Sequence, residues 1–143
     1  EHFDRPGITT DLIVGFPGET EEEFSQTLDF IQKCAFSAMH IFPYSRRPGT
    51  PAAKMPGQVP NAEKEARCRR AAQVAQKMEE DYLDSFLGQE VPVLFEEERE
   101  GFWRGHTTRY VQVAAQSGED LHNRLCTVRL IRREGLTLVG EPM

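Results

Sequence analysis

The chain has 143 residues, enough for one domain or two small ones. Charged residues make up 28% and hydrophobic ones 38%, which excludes a disordered or fibrous chain. A net charge of −6 argues against general nucleic-acid affinity, so any RNA contact needs a local basic face. No apolar run is long enough to span a membrane, and no signal-peptide pattern opens the chain. Cys34, Cys68 and Cys126 are odd in number and lack C-x-x-C spacing. That suits a reducing, cytoplasmic compartment, argues against a disulfide frame or metal knuckle, and predicts small buried apolar residues. Because the first residue is Glu1 and not Met, the sequence reads as an excised part of a longer protein.

The first predicted element is a strand. Leu12 to Val14 is a short apolar run of the kind buried on both faces of a parallel sheet. Gly15, Pro17 and Gly18 stop it and let backbone approach a neighbour closely. Thr20-Glu21-Glu22-Glu23 reads as a capping box. A strand that opens through glycines onto a helix N-terminus is where α/β proteins bind ligands; a plain tight turn is the competing reading. The stretch is neither a P-loop nor a dinucleotide fingerprint, because neither motif's order is present.

A helix follows over about 21–33, with Phe24, Leu28 and Ile31 as its apolar stripe. Phe36 and Ala38 to Phe42 read as a second strand, ended by Pro43. Strand, helix and strand with short links form a βαβ unit with parallel strands and open edges that are expected to pair with another copy. The loop Tyr44 to Pro51 leaves the same end as the Gly15–Glu19 turn. In it, Arg46 and Arg47 either clamp a phosphate or carboxylate or are solvated. Lys54 to Pro60 is a linker by composition.

A long helix is predicted from Asn61, as N-cap, to Gly88, as the residue past its end. Its first half carries Lys64, Arg67, Arg69 and Arg70, and its second half Glu79, Glu80, Asp81 and Asp84. That order opposes the macrodipole, so something else set it: a basic patch for RNA backbone, or a solvated face. From Gly88 the period changes to two: Val91, Val93, Phe95; Val111, Val113; Cys126, Val128, Leu130; Leu136, Leu138. With turns at Glu100-Gly101, Ser117-Gly118 and Glu134-Gly135, this is a small all-β barrel or sandwich. The segment has seven arginines, no lysine and nine acids, a formal charge of −2. Phe102, Trp103, Arg104, His106, Arg109 and Tyr110 nevertheless cluster, either to stack and clamp RNA or as core aromatics. The expected division is 1–60, a connecting helix 61–87, and 88–143.

The run Thr9 to Thr20 (TTDLIVGFPGET), followed by His40 to Ala53 (HIFPYSRRPGTPAA), closely resembles the radical S-adenosylmethionine methylthiotransferases. Gly105-His106-Thr107-x-x-Tyr110-Val111-x-Val113 is similar to their TRAM domain. The resemblance implies an α/β plus all-β chain: the C-terminal slice of a partial (β/α) barrel, then a small antiparallel β-barrel. It implies S-adenosylmethionine and two [4Fe–4S] clusters in the whole enzyme, with a methylthio group placed on a tRNA adenosine or a ribosomal-protein aspartate. The His40-to-Thr50 run resembles the branch acting on threonylcarbamoyladenosine beside the anticodon. Implied cofactor-binding residues are Ile13, Gly15, Phe16, Pro17, Gly18, Glu19, Phe42, Pro43, Tyr44 and Ser45. Implied RNA contacts are Arg46, Arg47, Arg104, His106, Thr107, Arg109 and Tyr110. The partners implied are tRNA and an N-terminal part of the same protein.

Three departures stand against the family pattern. The C-x-x-x-C-x-x-C motif and the second cluster's cysteines are absent, so this piece alone is expected to be inactive and to hold no metal. Arg109 replaces a usual Asn, and Ala35 a usual helix-ending Gly. The alternatives are an RNA-binding module without catalysis, or a methylthiotransferase acting on another tRNA adenosine or on a ribosomal protein.

Overall fold

The computed structural model describes residues 3–143 and contains two compact units. One is Ile8–Met78; the other joins the segment ending at Gly7 to Glu79–Met143.

In the first unit, strand β1 (Thr9–Val14), helix α1 (Glu21–Cys34) and strand β2 (Ala38–Pro43) form the βαβ element. The strands are parallel, in register from Thr9↔Ala38 to Val14↔Pro43. The period of two sends Leu12, Val14 and Ile41 to one face, where they pack with Phe24, Leu28, Ala71 and Cys68. The other face carries Asp11, Ile13, His40 and Phe42 and is open: Ile13 is 56% and Phe42 50% exposed. β1 is therefore covered on one face, not both, because one helical layer backs the sheet. Pro43 does not quite end the ladder; the Tyr44 N–H still donates to the Val14 carbonyl at 2.8 Å.

α1 starts on the expected capping box: the Thr20 hydroxyl accepts from the Glu23 N–H, and the Glu23 carboxylate accepts from the Thr20 N–H. It ends at Ala35 in the left-handed region, φ 52° and ψ 54°. A side chain there is strained, so Ala35→Gly is expected to raise stability by about 1 kcal/mol in chemical denaturation.

Helix α2 (Asn61–Asp84) departs from expectation at both ends. The Pro60 carbonyl accepts from the Lys64 N–H at 3.0 Å, so Pro60 holds the cap position and Asn61 is already helical. Past Asp84 the chain tightens, with Phe86 N–H to the Leu83 carbonyl and Leu87 N–H to the Asp84 carbonyl, before Gly88. That tightening belongs to a buried Phe86, which packs into the barrel core.

The second unit is a closed barrel of β3 (Glu90–Arg99), β4 (Phe102–Thr107), β5 (Gln112–Ala115), β6 (Leu125–Glu134) and β7 (Thr137–Pro142), in the order β3-β4-β5-β7-β6. Val91, Val93, Phe95, Val113, Val128, Leu130 and Leu138 point inward as the alternation requires. The barrel is not wholly antiparallel. Residues 116–124 carry the chain to β6 beside β3, so β7, antiparallel to β6, closes on β5 in parallel. Leu136 lies in the β6–β7 turn and is 48% exposed; the inward set there begins at Leu138. A bulge between Phe95 and Glu97 leaves Glu96 as the extra residue on the outer surface.

Candidate functional site

In the first unit the parallel register brings the two implied cofactor loops to one end of the sheet. Val14 lies opposite Pro43, and the Phe16 and Tyr44 rings meet edge to face at 5.4 Å. Below them Ile13 and Phe42 are register partners on the open face. Gly15 takes φ +72°, and a Cβ built there would lie 2.2 Å from Cγ of Lys64, so only glycine fits the bend.

The turn itself is held from within. The Gly15 N–H donates to Glu19 Oε1 at 2.9 Å, the Glu19 N–H to the Phe16 carbonyl, and the Gly18 N–H to the Gly57 carbonyl. The Lys54–Pro60 stretch is thus more than a linker, since Gly57 packs on the turn. Glu19 also accepts from Arg67 Nη1 at 2.6 Å, and its carbonyl from the same nitrogen at 3.0 Å. Its carboxylate is spent on the turn's own framework.

Arg67 is 2% exposed and also pairs with Glu63, while Arg70 pairs with Glu21; both guanidinium groups lie against the Phe24 ring. Lys64 Nζ donates to the Tyr44 carbonyl at 2.9 Å. At Lys64 and Arg67 the basic first half of α2 is therefore not a solvated face, whereas Arg69 and Arg70 are exposed. Lys64 and Arg67 turn onto the loops of the sheet end, and Arg70 pairs with the first turn of α1. Lys64 and Arg67 are the residues sequence reasoning missed; the reversed charge order of α2 was their signal.

The Pro43–Glu65 neighbourhood forms a cleft of about 350 Å³ that includes Tyr44, Ser45, Arg46 and Lys64. Arg46 Nε donates to the Ala53 carbonyl at 2.7 Å and braces its loop, whereas Arg47 stays exposed. Outside this cleft, on the open face, apolar Ile13 and Phe42 beside the glycine bend suit an adenosyl group, and among the described residues the buried Tyr44 hydroxyl has no hydrogen-bond partner. An iron–sulfur cluster does not fit: among the described residues no three His, Cys, Asp or Glu side chains converge. Cys34 is exposed, which corrects its expected burial. Cys68 is half-buried, and burial followed by the charge of Glu65 pushes its thiol up, away from reactivity.

In the second unit the basic–aromatic cluster divides. Trp103 packs against the core, while Tyr110 is 90% exposed with φ +60°. The Thr107 hydroxyl accepts from the Arg109 and Val111 N–H groups, fixing the loop that carries Tyr110. His106 Nδ1 sits 2.9 Å from Glu96 Oε2, and its ring 6.0 Å from that of Tyr110. Together with Leu94 and Leu125 these line an outer groove of about 350 Å³. Arg109 does not join it: its guanidinium bonds Asp4 at 2.9 Å and lies over Phe86. Arg104 is half-buried, and its buried Nε has no hydrogen-bond partner among the described residues.

No family model matches the chain. Among curated proteins it is similar to the threonylcarbamoyladenosine tRNA methylthiotransferase MtaB of Bacillus subtilis, 37% identical over 87% of this chain and 29% of that protein. It is also similar to tRNA-2-methylthio-N(6)-dimethylallyladenosine synthases. The one from Acetivibrio thermocellus is 41% identical over 99% of this chain and 30% of its own length. The one from Aquifex aeolicus is 37% identical over 94% of this chain and 30% of its own length. The chain thus spans about three tenths of the length of these relatives. Among the described residues no helix is long and apolar enough to cross a membrane.

Proposed function

Because the chain belongs, as a segment, to the radical S-adenosylmethionine methylthiotransferases, we propose that it supplies part of the adenosyl site and the RNA-docking barrel of a cytoplasmic tRNA methylthiotransferase. The observation that carries this is the juxtaposition of the Gly15–Glu19 turn with the Pro43–Ser45 exit at one sheet end. The larger protein takes S-adenosylmethionine and iron–sulfur clusters whose thiolates come from outside this segment. That cofactor set supplies the radical chemistry and the methyl group.

The residues here have simpler tasks. Ile13 and Phe42 give an apolar floor suited to a purine ring. Backbone at Gly15–Phe16 and Pro43–Ser45 frames it, and Glu19 keeps the bend in shape. In the barrel, which corresponds to the family's TRAM domain, the exposed Tyr110 ring stacks on an unpaired base. His106 and Thr107 shape the groove, and Arg47 and Arg104 stand as candidates for phosphate.

The His40-to-Thr50 run supports threonylcarbamoyladenosine beside the anticodon as the substrate. The relatives named as dimethylallyladenosine synthases support a second reading, the same chemistry on that other adenosine. The test is mass spectrometry of nucleosides from tRNA incubated with a protein of the relatives' full length carrying this segment. The methylthio product of threonylcarbamoyladenosine is expected. Its absence beside a methylthiolated dimethylallyladenosine selects the second reading, and no methylthio product from either tRNA overturns both. In a tRNA-binding titration of the same protein at several salt concentrations, Tyr110→Ala is expected to weaken binding about tenfold, with the salt slope little changed, because stacking is lost and no phosphate contact is.

A further inference from the structure

Lys64 and Arg67 are three residues apart and so share one face of α2. Each reaches a different loop of the adenosyl site. Arg67 holds the Glu19 carboxylate, which holds the Gly15 N–H. Lys64 lays its stem over Gly15 and donates to the Tyr44 carbonyl. The stem occupies the space where any other residue at 15 would put its Cβ. Its ammonium also lies 5.8 Å from the centre of the Tyr44 ring.

From this geometry we propose that Lys64 and Arg67 are a pair of positioning residues that set the gap between the Gly15–Glu19 turn and the Tyr44 loop, and hence affinity for the adenosyl group. The proposal rests on the reading of that sheet end as an adenosyl site. Neither side chain needs to touch the ligand. Arg67 acts through Glu19, whose Oε1 is bonded on one side to Gly15 and on the other to the guanidinium. Deep burial keeps that guanidinium in one place: it has the Phe24 ring on one side and Glu19 and Glu63 at its nitrogens. A flexible surface arginine would fix nothing; this one is 2% exposed. Lys64 acts on the partner loop through a single backbone carbonyl, so its contribution is expected to be the smaller.

A residue that only stabilises the fold and one that shapes the loop differ in what they change. The first raises hydrogen exchange across the whole unit; the second raises it at the loop. Two variants, made in a protein of the relatives' full length that carries this segment, separate these. Arg67→Lys keeps the charge but cannot span Glu19 with a planar fork. Lys64→Met keeps the stem over Gly15 and removes only the bond to Tyr44.

The readouts are residue-resolved amide exchange and the dissociation constant for S-adenosylmethionine by titration calorimetry. Arg67→Lys is expected to speed Gly15 exchange at least tenfold while Leu12 and Ile41 stay within twofold, and to weaken S-adenosylmethionine about tenfold. Lys64→Met is expected to weaken it severalfold at an unchanged melting temperature. Should Arg67→Lys fail to fold, Lys64→Met carries the test alone. Variants that bind as tightly as the parent, or that speed exchange evenly along β1 and β2, overturn the proposal. A parent protein of that length that binds no S-adenosylmethionine overturns the adenosyl reading itself, and the proposal with it.

Discussion

Gly105→Ala is expected to cost the barrel about 3 kcal/mol. The reason is steric and lies in the backbone. A Cβ at this position would sit 2.1 Å from the Leu94 carbonyl oxygen and 2.8 Å from the Phe95 Cα. Those are atoms of the paired strand, not the end of a flexible side chain, so β3 and β4 would have to part. They approach this closely because the bulge at Glu96 bends β3 beside Gly105. Trp103 is the one tryptophan and packs against the barrel core, so its fluorescence in a urea titration follows this unit. Gly118→Ala is the matched control, because a Cβ there meets nothing within 4 Å. It is expected to stay within about 0.5 kcal/mol of the parent. Equal midpoints for the two variants would show that the strands separate without cost. The same displacement would move His106 and Leu94, which face each other across β3 and β4, and spoil the outer groove.

The elements that a local pattern encodes were legible before any coordinates. Thr20 and Glu23 announce a helix start because a capping box needs only two side chains three residues apart. The βαβ unit follows from short links and a right-handed crossover, so the shared end of Gly15 and Tyr44 follows too. The inward residues of β3 and β6 follow from period two. What was not legible depends on which neighbour a side chain finds. Leu12 to Val14 reads as a doubly buried strand, yet Ile13 is open, because sequence does not say how many layers back a sheet. Trp103 and Tyr110 share a chemical character and take opposite fates, one in the core and one exposed on a left-handed loop residue. Arg109 has the look of a phosphate contact but is spent on Asp4, 105 positions earlier in the chain. The reversed charge order of α2 gave the most informative hint. A helix that opposes its own macrodipole in the first turns has partners elsewhere, and here these are Glu19, Glu21 and the Tyr44 carbonyl.

Arg67→Met is expected to be the most damaging single change in the Ile8–Met78 unit, by about 3 kcal/mol. Methionine restores much of the buried volume, so the loss is not chiefly one of packing. It comes from what stays behind. Glu19 keeps its charge in a place where its side chain is only 15% exposed, with the Gly15 N–H as its remaining polar contact. A unit of this size has little stability to spare, so such a loss is expected to unfold a sizeable fraction of it. Amide exchange at Val14 and Phe24 measures this unit, while Trp103 fluorescence reports the other. The double variant Arg67→Met with Glu19→Gln separates charge from shape. Glutamine still offers an oxygen to Gly15 but no longer needs a cation, so the pair is expected to recover about 1 kcal/mol or more relative to Arg67→Met alone. No recovery would mean that water reaches Glu19 and that the guanidinium matters through its contact with Phe24 instead. Recovery of stability without recovery of the Gly15 exchange rate would separate the two tasks of Arg67: neutralising a buried carboxylate, and holding it at the angle from which it grips the bend.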